Sequence, residues 1–202
     1  MKIKVCGMRD KENISGLLAL KPDYIGFIFY DKSKRFVADF PQIEIPASVK
    51  KVGVFVNGTI EEIVEKINQY KLDFVQLHGD ETPYYCEKLS VRKVKIIKAF
   101  SVDENFDFSA IKSFEKCVSL FLFDTKGNNY GGNGVKFNWD LLQNYKGKTP
   151  FLLSGGINKN DAYEIKKMKH PAFLGIDINS GFELEPGLKI IKEIKEFKSL
   201  LV

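Results

Sequence analysis

Cysteine and histidine are scarce in this chain: Cys6, Cys86 and Cys117 are its 3 cysteines, there are 2 histidines, and no CxxC or Cys/His pairing forms a zinc motif. An odd number of widely spaced thiols builds no disulfide framework, so reduced thiols in a cytoplasmic protein are the expectation. Long apolar runs are missing too. No stretch approaches the roughly 20 apolar residues of a membrane-spanning helix. The N-terminus begins on a strand pattern, without the basic segment, long apolar stretch and small-residue cleavage site of a secretory signal. The 31 Lys and Arg exceed the 26 Asp and Glu by a formal +5, but the lysines are scattered over helical stretches such as 159–169 and 189–198, as solvated faces. No basic stripe interleaves with aromatics, which argues against a nucleic-acid partner. A modest positive balance still attracts anionic metabolites.

What is present is regular. In 202 residues, 44% of them hydrophobic, short β-rich runs alternate with amphipathic stretches, the signal for repeated βα units around a parallel sheet. The runs are Ile3–Cys6, Tyr24–Phe29, Lys51–Val56, Phe74–Leu77, Val94–Ala99, Leu120–Asp124, Phe151–Ser154 and Phe173–Asp177. Helical patterns lie over Lys11–Leu20, Ile60–Tyr70, Pro83–Leu89, Phe108–Phe114, Asn138–Asn144, Lys159–Lys167 and Gly187–Leu200. The second crossover is the exception, because Pro41 and Pro46 leave room for a short helix or an irregular connection. Eight strands in so short a chain predict an α/β fold, a (β/α)8 TIM barrel with short loops forming one domain over 1–202; a doubly wound open sheet is the alternative. The Gly- and Asn-rich stretch Lys126–Gly134 follows the sixth run and reads as a long functional loop, with Tyr130–Gly134 able to act as a lid.

In this architecture chemistry sits where strands end. Cys6 ends the first run: a candidate catalytic thiol, or a small buried hydrophobe. Asp124 ends the sixth, and its carboxyl can give up a proton in a site, cap a turn, or pair with Lys126. Arg35, after the second run, can grip a carboxylate through two parallel hydrogen bonds or lie in a solvated basic loop. His78 can be a base, or can orient substrate and neighbouring loops. Asp177 contacts a substrate hydroxyl or caps. Gly155-Gly156 after run seven and Ser180-Gly181 after run eight let backbone N–H groups converge on a phosphate, or merely turn the chain and cap a short helix.

Taken together, these residues resemble a known family. Lys4-Val5-Cys6-Gly7-Met8, Ser33-Lys34-Arg35-Phe36-Val37, Val52-Gly53-Val54-Phe55-Val56-Asn57, Val75-Gln76-Leu77-His78-Gly79-Asp80-Glu81, Phe123-Asp124-Thr125, Gly131-Gly132-Asn133-Gly134, Ser154-Gly155-Gly156-Ile157 and Gly175-Ile176-Asp177-Ile178-Asn179-Ser180-Gly181-Phe182-Glu183 run in the order of the phosphoribosylanthranilate isomerases of tryptophan biosynthesis. The resemblance implies an Amadori rearrangement of a phosphosugar-anthranilate substrate without metal or organic cofactor, in a monomer or homodimer. It implies Cys6 as general base, Asp124 as general acid, Arg35 on the anthranilate carboxylate, Asp177 near the sugar, and Gly156, Ser180 and Gly181 on the phosphate, with Gly155 in the same cradle. Three positions depart from the family pattern: Lys34 where proline often precedes the arginine, Asn133 for threonine, and Asn179 for serine. Indole-glycerol-phosphate synthase shares a phosphate cradle but relies on lysine and glutamate catalysts, and a phosphometabolite-binding barrel without turnover is the non-enzymatic rival.

Overall fold

Runs rich in Val, Ile and Phe bury both faces only when the sheet is covered on one side and closed on the other. In the computed structural model, which describes residues 1–127 and 136–201, they do so as a ring of eight parallel strands. These are β1 (Lys2–Val5), β2 (Tyr24–Ile28), β3 (Lys50–Phe55), β4 (Phe74–Leu77), β5 (Lys95–Val102), β6 (Leu120–Thr125), β7 (Phe151–Leu153) and β8 (Phe173–Ile178). The ring closes between β1 and β8, with Lys4 opposite Asp177 and Val5 opposite Ile178. The expected barrel is therefore present and the open-sheet alternative is not.

Alternation along β6 shows how the layers form. Leu120 and Leu122 join Val52, Phe74, Ile97 and Leu152 in one cluster, inside the ring. Phe121 and Phe123 point the other way and pack with Ile14, Leu17, Ile194 and Phe197 of the surrounding helices. Three of the helices start on capping side chains. Asp10 caps α1 (Lys11–Leu18), Thr59 forms a capping box with Glu62 at α2 (Ile60–Tyr70), and Thr82 followed by Pro83 opens α3 (Pro83–Ser90). The remaining helices are α4 (Ala162–Lys167) and α5 (Ile191–Leu200).

Four helical expectations need correction. Phe108–Phe114 and Asn138–Asn144 hold 3-10 helices, Ala110–Phe114 and Trp139–Asn144, and the stretch from Lys159 opens with 3-10 turns before α4. Over five or six residues a period of 3.0 looks like one of 3.6, and i→i+3 bonding suffices for so short a crossover. Gly187–Leu200 is not all helix. Gly187 has φ +90, and the turn it makes pairs β9 (Glu183–Glu185) with β10 (Leu188–Lys189) in a small antiparallel hairpin before α5 begins. The second crossover is irregular, as its prolines imply. Phe40 covers that flank instead of a helix, stacking on Tyr70 at 4.2 Å between ring centres and leaning on Phe27 at 4.6 Å. The expected lid, Tyr130–Gly134, lies outside the described residues. Among the described residues no helix is long and apolar enough to cross a membrane.

Candidate active site

The strands deliver their polar ends to one cavity. Cys6, Arg35, His78, Asp124, Gly155, Gly156, Asp177, Ser180 and Gly181, all nine residues singled out in the sequence, line it together with Gln76, Ser154 and Asn179. It encloses about 710 Å³ including its open mouth.

Cys6 is buried at the end of β1, its backbone N–H donating to the Ile178 carbonyl at 2.9 Å. Burial pushes its thiol above the ordinary range, and the neighbouring Lys4 ammonium pulls the other way. Two residues back on the same strand face, Lys4 is wholly buried and donates to both Asp177 oxygens at 2.9 Å. Burial opposes the Lys4 charge, but Asp177 and Cys6 outweigh it and hold the ammonium more firmly protonated than usual. Asp177 lines the cavity while tied to a cation on the adjacent strand, a partner that neither the substrate-contact nor the capping reading included.

Asp124 ends up buried at 5% exposure, with Oδ1 accepting from the Thr125 N–H at 2.9 Å. Its alternative partner Lys126 pairs with Asp103 instead, at 2.6 Å. Oδ2 faces His78 Nε2 at 3.3 Å, without the alignment of a hydrogen bond. On the other side of the ring, Gln76 Nε2 lies 2.9 Å from His78 Nδ1. With the Gln76 amide donating, Nδ1 accepts and the ring proton sits on Nε2, a buried donor with no partner among the described residues. The loop bearing His78 is fixed from below by a buried pair: Lys98 Nζ donates to Glu81 Oε2 at 2.9 Å and to the Gly79 carbonyl at 2.7 Å.

Arg35 is not in a solvated loop. Its guanidinium forks onto Glu183, with Nε to Oε1 at 2.9 Å and Nη2 to Oε2 at 2.7 Å. Glu183 is shared with Lys189, which also donates to Asn179 Oδ1 at 2.6 Å. Burial dominates at Lys189 and lowers it to about 8, against the pull of Glu183. For Glu183 the two cations outweigh burial and hold the carboxyl below its ordinary value. Across the cavity, Gly155 and Gly156 adopt φ +91 and +63, a backbone path closed to most side chains. Ser180 and Gly181 open a single 3-10 turn. Among the described residues none of these four backbone N–H groups donates to another protein group, so the four donors remain available where the turn and the short helix meet.

Sequence reasoning missed Lys4, Gln76, Lys98, Glu183 and Lys189. Lys4 and Gln76 carried a signal, since a residue two positions before Cys6 or His78 on a strand shares its face.

Comparison with known proteins agrees with this geometry. The family model described as N-(5'phosphoribosyl)anthranilate (PRA) isomerase matches residues 3–199. The N-(5'-phosphoribosyl)anthranilate isomerase of Parabacteroides distasonis is 52% identical over 202 residues, covering 98% of this chain and 91% of that protein. The crystal structure of phosphoribosyl anthranilate isomerase from Thermotoga maritima superposes with a TM-score of 0.87 at 32% identity, over 100% of this chain and 98% of that one. A phosphoribosyl anthranilate isomerase in complex with reduced 1-(o-carboxyphenylamino)-1-deoxyribulose 5-phosphate matches with a TM-score of 0.84 at 29% identity, again over 100% and 98%. With its fold and nearly its whole length in common with these enzymes, the chain belongs to the N-(5'-phosphoribosyl)anthranilate isomerase family.

Proposed function

We propose that this protein isomerises N-(5'-phosphoribosyl)anthranilate to 1-(2-carboxyphenylamino)-1-deoxyribulose 5-phosphate. The observation that carries the reading is the meeting in one cavity of a thiol, a carboxyl group and a ring of free backbone donors, each from a different strand end. Asp124, in its protonated form, gives its proton to the ribose ring oxygen, and the ring opens to a protonated Schiff base. Cys6 as thiolate then takes the proton from sugar C2. The electron pair left behind neutralises the iminium nitrogen, giving an enolamine that tautomerises to the ketone, so no atom or electron is gained or lost.

The other roles follow from chemistry. Backbone N–H groups of Gly155, Gly156, Ser180 and Gly181 receive the phosphate. Arg35 takes the anthranilate carboxylate with the donors that Glu183 leaves open. His78 turns its unpartnered Nε2–H toward the sugar or the opening ring oxygen, and Asp177 lies below the same region.

The test follows loss of the substrate's fluorescence with the wild type, Cys6→Ser and Asp124→Asn. Both variants are expected to lose about 100-fold or more in kcat while still binding a product analogue. Undiminished turnover in either removes its assigned role. A chain that binds the analogue but never isomerises is the rival phosphosugar-binding barrel.

A further inference from the structure

The interior of a barrel is an expensive place for an ammonium group, because desolvating an ion costs several kcal/mol even after relaxation (about that much per ion). Lys4 is nevertheless wholly buried inside this one. Asp177 explains how its charge is tolerated but not why the pair exists, since well-packed hydrophobic residues often replace a buried ion pair with no loss of stability. The answer lies in what else stands beside the ammonium. Cys6 follows two residues later on the same strand, and β2 places Gly26 beside both: a Cβ built there would come within 2.8 Å of Cys6 Sγ and 3.3 Å of Lys4 Nζ. Sulfur and ammonium thus crowd one point that a missing side chain leaves open.

We propose that Lys4 is a positioning residue for the isomerisation, an ammonium moored by Asp177 beneath Cys6 so that the sulfur can carry negative charge in a buried cavity. The proposal rests on the reading of Cys6 as the base. It adds that the base is made on β1, by its own strand neighbour, and not by the substrate alone. The charged groups facing the sulfur come from three elements: Lys4 on β1, Asp177 on β8 and Lys189 on β10. Lys4 and Lys189 favour the thiolate and Asp177 opposes it. As the thiol ionises its proton passes to solvent, and the pair beneath it stays as it was.

The signs of these contributions give a test that does not depend on turnover. Cys6 ionisation is followed by the ultraviolet absorbance of the thiolate against pH, as the difference from Cys6→Ser, which isolates one sulfur. Lys4→Gln alone leaves Asp177 buried and unpaired and can unfold the barrel, so the informative variant is Lys4→Gln/Asp177→Asn, which keeps both shapes and neither charge. Its thiol should titrate at least one pH unit higher than wild type, leaving about tenfold less thiolate at neutral pH. Asp177→Asn alone should move the thiol in the opposite direction. The acidic limb of kcat/KM should shift with the thiol in both variants. An unchanged or lower titration in the double variant overturns the role of Lys4, whatever its activity. Full activity in Cys6→Ser overturns the underlying reading of the base and leaves the effect of Lys4 on the sulfur standing.

Discussion

A single missing methyl group decides how closely β1 and β2 approach beside the candidate site. At Gly26 an added Cβ would sit 3.1 Å from the Cys6 Cα as well as against its sulfur, and backbone cannot swing away as a flexible side chain can. Gly26→Ala is therefore expected to lower kcat by about tenfold or more through displacement of the sulfur, with product-analogue affinity almost unchanged. A variant as fast as wild type would show that the strands yield at this point. The positions of the polar residues were legible from strand ends alone, because the fold sends every strand terminus to the same rim. Their partners were not. Glu183 and Lys189 are separated from Arg35 by some 150 residues, and charge pairing across that separation leaves no local pattern in the sequence. For Asp177 both readings from the sequence, substrate contact and cap, overlooked its tie to Lys4, which becomes visible only when register sets the two residues side by side.

Among the elements, the β9–β10 hairpin stands where sequence patterning expected helix, and it holds the lysine that shares Glu183 with Arg35. On the proposed role of Arg35, a protonated Lys189 lets Glu183 divide its charge between two cations, so the guanidinium donors that Glu183 leaves open can turn to a substrate carboxylate. As pH rises past about 8, Lys189 loses its proton and Glu183 grips Arg35 alone. KM is expected to rise above that pH with kcat less affected, and Lys189→Met should show the raised KM at every pH; a KM independent of pH in the wild type would sink this account. The same titration has a stability consequence. The folded-state pKa lies below the unfolded one, so between about pH 8 and 10.5 the unfolded chain binds the extra proton, and this group alone makes the protein more stable as pH climbs through that window. The Cys6 sign is simpler: its thiol is raised, so kcat/KM should climb with pH across neutrality as the thiolate fraction grows, which a pH-rate profile would reveal. The eight strands were readable to within a few residues because apolar runs bounded by polar turns admit no other assignment here. The 3-10 helices and the hairpin were not, since five or six residues are too few to separate one helical period from another and Gly187 announces only that a turn occurs.

At the scale of the whole molecule, stability rests on the layer between ring and helices. Phe197 of α5 is 1% exposed and packs on Phe182 with ring centres 4.9 Å apart. Phe197→Ala should cost about 3 to 5 kcal/mol and lower Tm by about 10 °C, measured by thermal unfolding; a change under about 1 kcal/mol would mean that the layer refills the gap. The net charge of +5 acts at longer range on an anionic substrate. Added salt should reduce kcat/KM by increasing KM, and an insensitive enzyme would show that the surface charge plays no part in capture. Closure of the ring has one more consequence. Cys6 follows the first barrel strand and Asp177 stands on the last, and the backbone donors proposed for the phosphate come from the loops after the seventh and eighth. Until β8 zips against β1 a refolding chain can hold most of its strands and helices and still lack half of its cavity, so the return of isomerase activity times the final joining of the ring, and a lag behind the recovery of helix signal measures how long the barrel waits open.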